Sequence, residues 1–210
     1  MQKFKRATYL TEVPIKCILC ATYYRRVPIM KKIAVLLADG FEEIEAVSVI
    51  DVMRRLDVEV TVCGIDSEVV IGAHRMIFNA DSLIGELNAD ELDAVYLPGG
   101  MPGAVNLLNS SDVNSLLKTM YDAGKIICAI CAAPIVLAPL GILEKHRFTM
   151  YPGFESYIGD AVSTGNQAEL SGNVVTGKGP GAVYDFAAKV AEALGLGAEC
   201  KTLYQAMFVQ

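Results

Sequence analysis

One stretch of the chain has residue types suited to nucleophilic chemistry. Ile127-Cys128-Ala129-Ile130-Cys131-Ala132-Ala133-Pro134 reads as a strand, a cysteine, small residues and the start of a helix. A nucleophile on a tight strand-to-helix turn is held out at the top of a sheet, and its neighbours must be small because the backbone crowds there. The serine version of this turn has glycine on both sides, whereas Ala129 and Ala133 occupy those places here. A helix starting at Ala132 would set its positive end behind Cys131 and favour the thiolate, the reactive form. Cys128 falls inside the strand, where packing is expected, so the two cysteines do not read as a redox pair. A second stretch, Asp39-Gly40-Phe41-Glu42-Glu43-Ile44-Glu45, sets three acids at a helix start. By spacing alone these are solvated carboxylates that complement the helix dipole. His74 and His146 are the only imidazoles, which argues against histidine-rich metal sites and most histidine-based catalysis. No metal is expected.

These residues need a frame, and the hydrophobic pattern supplies one. Residues 33–38 form a continuous apolar run, as in a strand buried on both faces. Residues 42–56 carry Ile44, Val47, Ile50 and Met53 at spacing three, closed by Leu56, which predicts a helix with that row buried. Strands are predicted at 58–63, 92–97, 125–130 and 173–176, and helices at 112–123, 132–140 and 182–194, with one more helix after Gly197. Two short runs around Gly72-Ala73 read as a hairpin. Alternating strands and helices imply an α/β fold with a mostly parallel sheet covered on both faces. Ligands in such sheets sit beyond the carboxyl ends of the strands. Three loops qualify: 39–45, Pro98-Gly99-Gly100-Met101-Pro102-Gly103, and 131–134.

Composition narrows the function classes. The chain has 210 residues, 53% of them hydrophobic and 20% charged, with a net charge of −6. This is enough for a sizeable core and excludes disorder. The acidic balance gives no nucleic-acid footprint. Six cysteines are too few for a disulfide scaffold, and they read as thiols in a reducing, cytoplasmic setting. Residues 126–143 lack any charge and reach the length of a membrane span. Pro134, Pro139 and Gly141 break that run, so a buried strand, a turn and a buried helix are expected and no membrane partner is. Residues 1–29 hold six basic residues and one acid, Glu12. This basic N-terminal extension reads as an upstream addition, a mis-called start or a leader, ahead of a single domain at 30–210. Cys17 and Cys20 have no second pair or histidine cluster to complete a zinc site.

Taken together, Asp39-Gly-Phe-Glu-Glu-Ile-Glu45, Leu97-Pro-Gly-Gly100, Ala129-Ile-Cys-Ala-Ala-Pro134 and Gly179-Pro-Gly181 resemble the ThiJ/PfpI superfamily in its DJ-one branch. The likeness spans essentially all of residues 30–210, in order and spacing. It implies a flavodoxin-like three-layer sandwich and a homodimer. It also implies a nucleophile at Cys131 with a carboxyl partner at Glu45. Main-chain donors at Gly100 and Ala132 would face the reacting oxygen, with Gly99 and Tyr151 beside the substrate. His74, at the hairpin tip near the expected pocket, reads either as a contact for an anionic substrate or as a solvated loop residue. A carboxyl held against a thiolate would be pushed towards its protonated form.

The departures are as informative. Many members place a histidine before Pro152, where this chain has Tyr151. A phenol is a poor base at neutral pH, so no imidazole titration is expected in the rate. The protease-like branch has histidine directly after the cysteine; Ala132 disfavours peptide hydrolysis. Lys178 stands where close relatives have arginine. The resemblance implies a cofactor-independent glyoxalase- or deglycase-like enzyme. Its substrate would be a small reactive carbonyl, methylglyoxal or its adducts, and its role protection against stress. The alternative is an oxidative-stress sensor or chaperone using the same cysteine without turnover. The family's older label, thiazole-monophosphate synthesis in thiamine metabolism, has no support in these residues.

Overall fold

The computed structural model describes residues 30–210. The basic extension, with its Cys17–Cys20 pair, lies outside the described residues. In chain order the elements are β1 (Lys32–Leu37), α1 (Glu43–Arg55), β2 (Glu59–Gly64), β3 (Val69–Ile71), β4 (Ile77–Asn79), β5 (Ser82–Leu83) and β6 (Ala94–Leu97). There follow α2 (Gly103–Asn109), α3 (Ser111–Asp122), β7 (Ile126–Ile130), β8 (Ala168–Ser171), β9 (Val174–Gly177), α4 (Val183–Ala193) and α5 (Gly197–Met207). Seven strands make one sheet in the order β5-β2-β1-β6-β7-β9-β8. All neighbours are parallel except the β8–β9 edge pair, while β3 and β4 form a separate antiparallel hairpin.

The apolar run of β1 splits by the period of a strand. Ile33, Val35 and Leu37 enter a core with α1 and α4; Ala34, Leu36 and Ala38 enter another with α2 and α3. Each face of the sheet is thus covered, and the fold is a flavodoxin-like α/β sandwich. Truncating a fully buried member such as Leu36 to alanine would cost about 2–5 kcal/mol. Among the described residues no helix is long and apolar enough to cross a membrane; the uncharged run at 126–143 is spent on β7 and short turns.

Three local expectations change. First, α1 buries Ala46, Val49, Ile50 and Met53, whereas Ile44 and Val47 are exposed and Glu43 and Glu45 are inside. A row at strict spacing three drifts round the helix, so that Ile44 and Met53 point about 180° apart. Second, the helix expected at 132–140 is a single 3₁₀ turn, Ala133–Val136. Pro139 has no N–H to continue an α-helical ladder, and Ile135 and Leu137 donate three residues back instead. Third, α2, β5 and β8 were not visible in the pattern. They are short, and Ser110 separates α2 from α3 by capping the Val113 N–H.

Candidate active site

The carboxyl ends of β1, β6 and β7 bring the three predicted loops together. Cys131 follows β7 directly and takes a left-handed conformation, φ 63°. Such a backbone costs about 1–3 kcal/mol in a non-glycine residue and persists only when its surroundings impose it. Here the Cys131 N–H donates to Gly177 O at 2.9 Å at the end of β9, and its carbonyl accepts the Tyr151 N–H at 2.9 Å. The segment carrying Tyr151 is tied down in turn. The Thr149 N–H donates to Thr176 Oγ1, and the Thr149 hydroxyl donates to Asn166 O.

Glu45 comes from the first turn of α1 and is fully buried. Its Oε2 accepts the Gly99 N–H at 2.8 Å, while Oε1 has no nitrogen or oxygen partner. Gly99 has no room for a side chain: a Cβ would lie 2.6 Å from Cys131 Cβ and 2.7 Å from Glu45 Oε2. The same two distances set the cysteine and the carboxyl side by side. The Ala132 and Gly100 N–H groups donate towards the sulfur. The half-exposed Tyr151 ring and the sulfur both lie against Gly179.

The electrostatics follow from this enclosure. Burial raises the Glu45 carboxyl to about 7, and the Glu42 charge adds to the rise. The contacts with Cys131 and the Gly99 N–H oppose it. Burial also pushes the Cys131 thiol up, as does the neighbouring Glu45 carboxylate, against the pull of the two N–H donors. This corrects the expectation of a thiolate favoured by a helix behind it: that helix is one 3₁₀ turn, and the site is too dry for two anions. Two negative charges on the pair are therefore disfavoured. When the proton sits on Glu45, the carboxyl ceases to repel the sulfur and becomes a third donor to it.

Cys131, Glu45, Gly99, Gly100, Ala132 and Tyr151 therefore converge. His74 stands apart. Its Nδ1 lies 2.9 Å from Glu43 Oε2 and its backbone N–H donates to Glu43 Oε1, with the ring largely exposed. His146 pairs with Tyr121 elsewhere. Cys128, Cys63 and Cys200 are free, buried thiols. Sequence reasoning missed Tyr96, whose buried hydroxyl donates to the Glu45 carbonyl at 3.0 Å. The available signal was a tyrosine inside an apolar strand, since a buried phenol needs a partner. Glu42, Glu43 and His74 are close enough to share a cation, but Glu43 is already satisfied by N–H donors.

With this geometry in view, comparisons with known proteins are consistent in kind. The model of the DJ-1/PfpI family matches residues 31–193. Protein dj-1beta of Drosophila melanogaster is 36% identical over 167 residues, covering 78% of this chain and 89% of that protein. A deglycase of Pyrococcus abyssi is 33% identical over 155 residues, covering 73% and 93%. The chain spans less than half of a longer Arabidopsis thaliana relative, Protein DJ-1 homolog B, matching 38% of its length. Among solved structures, a mutant of a DJ-1 superfamily protein from Salmonella typhimurium superposes with a TM-score of 0.81 at 34% identity. That alignment covers 86% of this chain and all of the other. A matched family model over most of the chain and relatives above 30% identity lead to one conclusion: this protein belongs to the DJ-1/PfpI family.

Proposed function

We propose that the protein is a cofactor-independent enzyme that converts methylglyoxal, or its adducts on thiols and amines, to lactate. One observation carries the reading. A strained, nearly buried cysteine, a carboxyl raised to about 7 and two aimed N–H groups share one small space. That arrangement suits attack on an aldehyde carbon. The Cys131 sulfur adds to the carbon as the pair yields its proton to the aldehyde oxygen, giving a hemithioacetal. The Gly100 and Ala132 amides stabilise the oxygen as charge develops on it. Glu45, poised near neutrality, then takes the proton from the former aldehyde carbon and returns one to the adjacent ketone carbon. The first carbon is oxidised to a thioester while the second is reduced to an alcohol, so no external oxidant or cofactor enters. Water cleaves the thioester, releases lactate and restores the thiol. The archaeal deglycase among the relatives supports this substrate class. The test is lactate formation from methylglyoxal by purified protein, with Cys131→Ser as control. Many turnovers per thiol in the wild type and none in the variant are expected; equal rates would refute the reading.

A second reading is oxidation of the same thiol by two equivalents of a peroxide, through a sulfenate and with two waters released, to a sulfinate held by the same amides. It is supported by Cys131 being the most exposed of the four described cysteines, at 9%. Consumption of substrate far beyond one equivalent per thiol separates the two. We also propose a homodimer. Ile44 and Val47 on the outside of α1, with Met76 and Ile77 on the adjoining hairpin, form an exposed apolar face. Light scattering should give twice the chain mass.

A further inference from the structure

A groove of about 300 Å³ is lined by Tyr151, Pro152, Gln167, Lys178 and the 179–182 turn, whose Gly179 packs near Cys131. Gly179 lies between groove and sulfur: a Cβ there would come 3.1 Å from the Tyr151 ring and 4.0 Å from Cys131 Sγ. Gly179 is thus the point at which the groove wall comes nearest the thiol. The sulfur therefore has two unlike sides. Towards α1 it faces Glu45, with Glu42 behind it. Towards the groove the single charged lining residue is Lys178, and no acid is present. Among the described residues Lys178 has no carboxylate partner; its Nζ donates to the Gly165 carbonyl at 3.2 Å. Gln167 adds a neutral amide, and its own carbonyl is taken by the Lys178 N–H.

We infer that this groove receives an anionic tail, a carboxylate or a phosphate, on the carbonyl compound that Cys131 attacks, and that Lys178 selects it. The inference rests on the proposed function for the carbonyl, not for the groove. An ammonium resting on a backbone carbonyl exchanges a neutral acceptor for a charged one when such a tail arrives, and charge-assisted hydrogen bonds are the stronger. The acids at the start of α1 repel the same tail. Both forces turn the substrate one way, tail to Lys178 and carbonyl to the Gly100 and Ala132 amides. Lys178 is part-exposed, so the selection is modest, roughly fivefold and screened by salt.

The test uses the full chain, as wild type, Lys178→Met and Lys178→Arg. Alkylation of Cys131 is timed by mass spectrometry with iodoacetate and with iodoacetamide, reagents of the same size that differ by one charge. The iodoacetate-to-iodoacetamide rate ratio should fall about fivefold in Lys178→Met and be kept in Lys178→Arg. In the wild type it should shrink with added salt. An unchanged ratio in Lys178→Met overturns the anion subsite, whatever the enzyme turns over. Protection of Cys131 from iodoacetamide by inorganic phosphate against acetate tells the two tails apart, and protection by neither also overturns it. A second arm compares kcat/KM for the methylglyoxal hemithioacetals of N-acetylcysteine and of its amide. Preference for the acid, lost in Lys178→Met, supports the inference. Absence of all turnover with the alkylation ratio intact overturns the catalytic reading and supports the groove.

Discussion

Glu43 and Glu45 sit two residues apart at the start of α1, and both are at most 4% exposed, yet their protonation is driven in opposite directions. Burial acts to raise Glu43, but the His74 ring and the N–H groups around it, those of His74 and Met76 included, overcome it and hold the carboxyl below its ordinary value. Glu45 has one N–H, from Gly99, an orphaned second oxygen and a thiol, and rises to about 7. The difference teaches that burial alone does not set a carboxyl's role. The depth of the packing around it and the donors that offset that packing do. A carboxylate with its lone pairs filled is a structural strut that anchors the β3–β4 hairpin to α1. One left short of donors is a proton carrier.

Exchanging each acid for its amide should break that comparison open. The largest effect is on turnover. Glu45→Gln keeps a group of the same shape but cannot carry a proton, so methylglyoxal conversion should drop by roughly a hundredfold or more, the scale of general acid–base catalysis. Glu43→Gln should stay within about threefold of wild type. Steady-state lactate assays on both variants check this, and near-normal turnover in Glu45→Gln would return Glu45 to the rank of a plain helix-start acid.

Stability should move the other way. Native Glu45 holds its proton more tightly than the unfolded chain, whose value is 4.5. The folded state thus binds more protons between pH 4.5 and 7, and stability falls as pH rises through that window. A gap of this size corresponds to roughly 3 kcal/mol. Glu45→Gln removes the penalty, so its stability relative to wild type should improve by about that much between pH 4.5 and pH 8. Glu43, held low, contributes stability that is present above 4.5 and lost on acidification. Glu43→Gln should cost about 1–3 kcal/mol at pH 8, the usual range for disrupting buried hydrogen bonds. Urea melts at the two pH values read both signs; parallel shifts in the two variants would erase the distinction.

A finer test concerns which group titrates. The absence of an imidazole on Cys131 suggested a rate without any step near neutrality. The raised carboxyl changes that expectation: Glu45, pushed up to about 7, should supply a step there. The step should persist in His74→Ala and vanish in Glu45→Gln. If it follows His74 instead, the relay runs through Glu43 and Glu42, which lie 2.9 and 3.6 Å from the ring.

The smallest expected effect falls on the phenol. Tyr151→Phe keeps the ring against Gly179 and should change kcat/KM by about threefold or less, since the backbone N–H of this residue, not its hydroxyl, braces Cys131. A drop of a hundredfold would make the hydroxyl part of the chemistry.

Much of the frame was legible because it rests on local patterns. The apolar runs of β1 and β7 and the cysteine between small residues follow from strand periodicity and backbone crowding, and each depends on neighbours in sequence. The buried face of α1 was misjudged because a row at spacing three was read as one stripe, when helical drift carries it round the surface. The helix behind Cys131 was misjudged because Pro139 acts three residues beyond the turn it shortens.

The sequence by itself determined that an alternating α/β chain would bring three loops to one sheet edge, with Cys131 at a crowded turn among them. Spacing left the three acids at the start of α1 equivalent; the motif resemblance singled out Glu45, and the tertiary structure seats it against the sulfur. Tertiary structure also decided that Tyr96, in a different strand, holds the carbonyl of that acid, and that a lysine forty-seven positions after the cysteine lines the groove whose wall reaches it. These outcomes depend on contacts between residues far apart in the chain and on how much water the packed loops exclude. Neither quantity is written in the spacing of residues; both set the proton affinities on which the proposed chemistry runs.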